Sequence, residues 1–253
     1  MSGHSKWATT KHKKAAVDAK RGQIFTKVIK EITTAAHQGG GNPDANSRLR
    51  TAIDRARAAN MPKDNIENAI KKGTGELPGV TYEEIIYECF GPQGIAIMIE
   101  ALTDNKNRST AEIRTILSRR GGHIGSQGSV SRLFHKKGFF LIDSRVATEE
   151  QIMSVVLEAG AEDLTKEDGD IFQVTCAILD FENVKKALQS ANIPVLSAEI
   201  TMLPVATVRI EDKNTASCVL GLMDALEAHE DVQETYANFD IPDSLIKEIT
   251  GER

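Results

Sequence analysis

No stretch of the 253-residue sequence approaches the ~20 consecutive apolar residues that a membrane-spanning helix needs, so a helical membrane protein is excluded. Cysteine is scarce. Cys89, Cys176 and Cys218 are odd in number and far apart, which excludes a CxxC metal site and suits a reducing cytoplasm. The opening Met1-Ser2-Gly3-His4-Ser5-Lys6-Trp7 leads into lysines rather than an apolar run, so no secretory signal is expected and the expected location is cytoplasmic. Signatures of common enzymes are missing as well: there is no GxxxxGKS/T phosphate loop, no HExxH and no GxSxG. His4, His12, His37, His123, His135 and His229 show no regular metal spacing, and Ser126 and Ser129 have no evident base nearby in sequence. No catalytic residue, metal or cofactor is therefore expected, and a hydrolase or nuclease built on scattered histidines is the weakest alternative. What is present, 40% hydrophobic and 26% charged residues, suits a folded chain with a real core.

Charge is strongly partitioned. Residues 1–73 carry fifteen Lys/Arg against six Asp/Glu, a net +9, and residues 106–137 carry eight against one, a net +7. Residues 74–105 have six acidic residues and no Lys or Arg, and residues 138–253 have eight basic against twenty-three acidic, a net −15. Such asymmetry points to one part that meets a polyanion and an acidic body that faces away or meets a protein.

Periodicity divides the chain. Phe25, Val28, Ile29, Ile32, Ala35 and Ala36 mark one face of a first helix, stopped by Gly39-Gly40-Gly41-Asn42-Pro43. Leu49, Ala52, Ile53 and Ala56 stripe a second helix, with Arg48 and Arg55 on one flank and Arg50 and Arg57 on the other. Pro62 opens a third, with Ile66, Ala69 and Ile70 inward and Gly73 as its cap, before a Gly/Pro linker to residue 79. Beyond it, 82–90 and 95–102 read as a hairpin, 109–119 as a helix, and 138–203 as β-α-β-β-α-β. A strand, a helix and a strand close the chain.

The expected fold class is α+β. Residues 1–79 form a basic helical domain, 80–137 with 204–240 a discontinuous α+β domain, 138–203 an inserted ferredoxin-like domain, and 241–253 a C-terminal tail.

The candidate nucleic-acid contacts follow from charge and spacing. Lys6, Lys11, Lys13, Lys14, Lys20 and Arg21 lie within twenty-one residues, with Trp7 and His12 interleaved, so cations meet phosphates and the indole stacks. Arg48, Arg50, Arg55 and Arg57 join them unless their stems only cover apolar surface. Arg119 and Arg120 lead a second basic block through Gly121–Gly128, a candidate phosphate-contacting loop; Gly122–Gly125 formally matches the GxxG loop of KH modules, but the surrounding order is not KH-like. Phe139 and Phe140 are read as core, and Glu149-Glu150, Glu162-Asp163 and Glu167-Asp168 as solvated surface.

Several runs resemble the YebC/PmpR family: Gly3-His4-Ser5-Lys6-Trp7, Lys11-His12-Lys13-Lys14, Lys20-Arg21-Gly22, Arg48-Leu49-Arg50, Asn60-Met61-Pro62-Lys63-Asp64-Asn65-Ile66, Thr103-Asp104-Asn105-Lys106-Asn107-Arg108 and Tyr236-Ala237-Asn238-Phe239-Asp240. The resemblance spans essentially the whole chain. It implies a helical N-terminal domain followed by two α+β domains, one inserted in the other. It also implies a DNA-binding transcriptional regulator or, as in a mitochondrial translational activator and some bacterial members, a ribosome-associated factor that binds rRNA.

Overall fold

The computed structural model describes residues 19–167 and 170–250. Three helices come first: α1 (Ala19–Gly39), α2 (Ser47–Ala58) and α3 (Lys63–Gly73). Their apolar stripes close on one another around Ile32, Ala35, Ala36, Leu49, Ala52, Ile53, Ala56, Ile66 and Ala69. Small residues at the crossings let the backbones approach. A Cβ on Gly73 would collide with the Thr33 carbonyl oxygen, so α3 packs this closely on α1 only through glycine. Buried Asn46 joins α1 to α2: its Oδ1 accepts the Leu49 N–H at 3.0 Å, and its Nδ2 donates to the carbonyls of Ala35 (2.8 Å) and Gly40 (2.9 Å).

The next segment is β1 (Glu83–Phe90), β2 (Ala96–Thr103), α4 (Lys106–Ser118) and β3 (His123–Ile124). β1 and β2 form the expected hairpin, in register from Glu83↔Thr103 to Phe90↔Ala96. The chain completes this layer after residue 206 with β8 (Val208–Arg209), α7 (Lys213–Glu227), β9 (Val232–Ala237), β10 (Phe239–Asp240) and α8 (Asp243–Thr250). β9 pairs antiparallel with β2, giving the sheet order β3-β1-β2-β9, while β10 pairs parallel with β8. Ile97, Ile99, Ile113, Leu117, Val219, Leu222, Met223 and Phe239 fill its core. Residues 241–250, expected to be a tail, instead bury Ile241 and Ile246 in that core. The helix there is only two turns long and follows a proline, so its periodic signal is weak.

The intervening chain forms a second compact unit, residues 133–205. It contains β4 (Phe134–Asp143), α5 (Glu149–Val156), β5 (Ala161–Glu167), β6 (Ile171–Cys176), α6 (Phe181–Ser190) and β7 (Ser197–Pro204). The antiparallel order β5-β6-β4-β7 is that of a ferredoxin-like sheet. Both helices bury their stripes on one face, over Phe140, Ile142, Phe172 and Val174. β4 starts before the expected boundary at Gly138, since Phe134 already pairs with Pro204. The polar run His135-Lys136-Lys137 hides that start. The two units hold separate cores, and the three N-terminal helices belong to the first. Among the described residues, no helix is long and apolar enough to cross a membrane.

Candidate nucleic-acid interface

α2 sorts its arginines by flank. Arg48 donates through Nε and Nη2 to the two carboxylate oxygens of Glu31 on α1, at 2.7 and 2.9 Å, and through Nη1 to Gln38 at 2.8 Å and to Glu84 on β1. The hydrogen bond to Glu31, outweighing burial, raises the guanidinium further above its usual range. Arg55 on the same flank lies 3.4 Å from Glu234 of β9. Arg48, half-buried, is thus tied to Glu31, Gln38 and Glu84, whereas Arg55 is exposed and its one long pair with Glu234 is of the weak surface kind.

The other flank faces outward. Arg50 donates to the Pro43 carbonyl at 3.2 Å, and Arg57 meets Asp54 at 3.4 Å with 72% of its side chain exposed. An exposed ion pair of this kind contributes at most about 0.5 kcal/mol, so a phosphate competes easily for Arg57.

The second basic block is positioned by a buried carboxylate. Glu88 on β1 accepts the backbone N–H groups of Gly128 (2.6 Å), Val130 (2.5 Å) and Ser131 (2.8 Å). Burial alone would raise its pKa, but these three donors hold it below the usual carboxylate range. Arg132 follows directly and is exposed, as is Arg119 at the end of α4. Arg120 is half-buried: its guanidinium lies against Gly221 of α7, where a Cβ would approach Nη1 to 2.9 Å. Gly122 is a packing glycine, since a Cβ there would meet the Phe90 carbonyl oxygen at 2.7 Å. With β3 paired to β1, the Gly122–Gly125 stretch is a sheet edge and not a projecting KH-type clamp.

A hub with no signature in the sequence links these elements. Asp231, 1% exposed, receives Lys30 from α1 on one carboxylate oxygen. On the other it receives Ser109 at 2.6 Å, Arg108 at 3.0 Å and Thr103 at 3.2 Å. Burial pushes its pKa up, yet the bonds from Lys30, Ser109 and Arg108 outweigh that and hold it well below the usual carboxylate range. Lys30 also lies 5.6 Å from the centre of the Tyr82 ring. Glu112, His229 and Asp231 bring three atoms of metal-ligand type within 4.8 Å. His229 Nδ1 already accepts the Asp231 N–H and Nε2 sits 2.8 Å from Glu112, while two cations occupy Asp231. The cluster is an internal ion-pair hub. Asp231 and Lys30 lie far apart in sequence, and each looks locally like one more surface charge.

Lys6, Trp7, Lys11, His12, Lys13 and Lys14 lie outside the described residues, and Lys20 and Arg21 fall in the first turn of α1.

Residues 5–76 match the family model described as the TACO1/YebC protein N-terminal domain, and residues 82–239 match the TACO1/YebC second and third domain. A protein of Syntrophobacter fumaroxidans is 53% identical over 249 residues, covering 98% of this chain and 100% of that one. A protein of Desulforapulum autotrophicum is 55% identical over 245 residues, covering 97% and 98%. Both are named probable transcriptional regulatory proteins. A crystal structure titled as a conserved hypothetical protein from Aquifex aeolicus is 44% identical, covers 90% of this chain and 94% of its own, and superposes with a TM-score of 0.77. With both family models matched across its three parts, the chain belongs to the TACO1/YebC family.

Proposed function

We propose that the chain is a non-enzymatic regulator of gene expression that grips nucleic-acid phosphates through its basic N-terminal region, with duplex DNA as the first target. The supporting observation is the exposure of the α2 arginines: Arg48 is half-buried and held by Glu31 and Glu84, while Arg50, Arg55 and Arg57 are exposed. Lys63, Lys71 and Lys72 on α3 are exposed as well. The names of the relatives support a regulatory role. The second basic block, with Arg119 and Arg132 exposed beside a loop held by Glu88, supplies a further set of cations. Phosphate contact is common to DNA and RNA, so structured RNA is the second arm of the test.

The test is a salt titration of binding to a DNA duplex and to a structured rRNA fragment. Removing one cation that touches a phosphate should lower the slope of log K against log salt by about 0.7–0.9. Lys11→Ala/Lys13→Ala/Lys14→Ala should therefore reduce it by about 2–3, and Arg50→Ala/Arg57→Ala by about 1–2. Glu149→Lys/Glu150→Lys, in the acidic unit, should change neither slope nor affinity. Unchanged slopes in both basic variants on both nucleic acids would refute the reading. So would a nucleotide- or nucleic-acid-hydrolysing activity that copurifies with the chain and vanishes in His123→Asn.

A further inference from the structure

The two most exposed large apolar side chains of the inserted unit, Leu179 and Leu157, lie at one end of it. Ala161 and Cys176 are register partners in β5 and β6. The turn preceding β5 and the turn following β6 must therefore emerge side by side. Gly160 confirms the proximity: a Cβ there would meet Asp180 Cγ at 2.8 Å. From the first turn Leu157 projects with 63% of its surface exposed, and from the second Ile178 and Leu179 project at 44% and 91%. Met153, one helical turn before Leu157, is also exposed. The same row of the sheet continues through Gly138, opposite Cys176, to Ile200 on the edge strand β7. Ile200 too is exposed.

A leucine left almost wholly in water, with exposed Ile178 next to it and exposed Leu157 on the adjoining turn, is unusual on a surface that has no use for them, because such clusters mark contact sites. Carboxylates rim this one: Glu158 and Glu182 are exposed and Asp180 is half-buried. The unit as a whole carries six Lys/Arg against twelve Asp/Glu, a net −6. We propose that this end, with Leu157, Ile178 and Leu179 as its apolar centre and Glu158, Asp180 and Glu182 as its rim, docks a lysine- or arginine-rich protein segment bearing aliphatic anchors.

The chemistry selects that partner over others. Phosphates and anionic lipid surfaces are repelled by the rim, and aliphatic side chains offer no face on which bases stack. A second copy meeting this patch with its own would bring like carboxylates together across a two-fold axis. A basic segment neutralises the rim while its leucines or isoleucines cover the exposed centre, which is the usual arrangement of an apolar core inside a polar border. This surface is independent of the nucleic-acid reading, since none of its residues belongs to the basic blocks.

The experiment uses the full chain and a fluorescein-labelled amphipathic Lys/Leu peptide, read by anisotropy. The comparators are polylysine of equal length and a Glu/Leu counterpart. The wild type should bind the Lys/Leu peptide more tightly than either. Leu157→Ser/Leu179→Ser should weaken binding by about tenfold or more, as truncation of central anchors does. Glu158→Lys/Glu182→Lys should weaken it too, while Leu196→Ser, an exposed apolar residue at the other end of the sheet, should not. Leu179→Lys repeats the test by charge repulsion at a position so exposed that the core is untouched. Equal binding by wild type and both leucine variants would overturn the proposal, as would polylysine binding as tightly as the Lys/Leu peptide. Self-association in sedimentation that disappears in Leu157→Ser/Leu179→Ser would make a second copy the occupant and overturn it as well.

Discussion

Asp231 and Glu88 are buried carboxylates with opposite surroundings, one held by two cations and two hydroxyls and the other by three backbone amides. Removing the charge of Asp231 leaves Lys30, 8% exposed, without its counter-ion. Asp231→Asn should therefore destabilise the chain by about 3–5 kcal/mol in urea unfolding. Replacing Lys30 and Asp231 together by Met and Leu should cost much less, because no buried charge is then left unpaired and Arg108, partly exposed, keeps Asp104 at 2.8 Å. Similar destabilisation in the single and double variants would show that the hub is not an ion pair in energetic terms. Both carboxylates have folded pKa values below their unfolded values. Their stabilisation is thus complete above the unfolded pKa of about 4 and is lost as pH falls from there through the folded values. Wild-type stability should decline below pH ~4, and Asp231→Asn should flatten that decline. At Glu88 the effect is local. Glu88→Gln puts an amide where three N–H donors converge, so the amides of Gly128, Val130 and Ser131 should exchange faster with deuterium while the β1–β2 ladder stays protected.

At the scale of elements, close approach governs which substitutions fail. Gly138→Ala would place a Cβ 2.5 Å from Cys176 Sγ and 2.9 Å from the Phe181 ring, whose stacking on Phe140 at 4.9 Å anchors α6. It should lower the stability of the inserted unit by about 1–3 kcal/mol. Gly73→Ala should cost at least as much, since the clash there is with backbone. Circular-dichroism melts of the two variants check both figures, and an unaltered melt at either glycine would mean that its neighbours can shift at no cost. The elements legible in sequence are those whose burial repeats along the chain. All four apolar positions read for α2, Leu49, Ala52, Ile53 and Ala56, are buried. The β-α-β-β-α-β order is legible for the same reason. What stays hidden lacks a local period: the start of β4 under His135-Lys136-Lys137, the short α8, and pairings such as Lys30 with Asp231 that join residues far apart in sequence. The candidate site is legible as charge but not as geometry. Four arginines on two flanks of one helix are alike in sequence, and only its neighbours, Glu31 and Glu84, separate half-buried Arg48 from the three exposed ones.

Across the whole chain, the two ends of the insertion meet. The Val205 N–H donates to the Leu133 carbonyl at 2.9 Å, so the strands that enter and leave residues 133–205 part from one hydrogen-bonded pair. Such partners have Cα atoms about 5.5 Å apart, and a linker of about four residues spans that gap with slack. Among the described residues, the core that includes Ile97, Val219 and Phe239 and the helical core around Ile32 and Leu49 draw nothing from 133–205, and the core around Phe140 and Val174 draws nothing from outside it. Replacing residues 133–205 with a short Gly/Ser linker should therefore leave a chain that unfolds in one cooperative transition. The basic blocks on α1–α3 and at Arg119 and Arg132 survive the excision, so binding to DNA or RNA should keep its salt slope. Affinity should change only slightly, because the removed segment is acidic and adds no phosphate contact. The Lys/Leu peptide should no longer bind, since Leu157 and Leu179 leave with the insertion. A shortened chain that melts without cooperativity would show that the first unit needs the second to fold. A folded one without the salt slope would show that the inserted unit, despite its charge, takes part in gripping the polyanion.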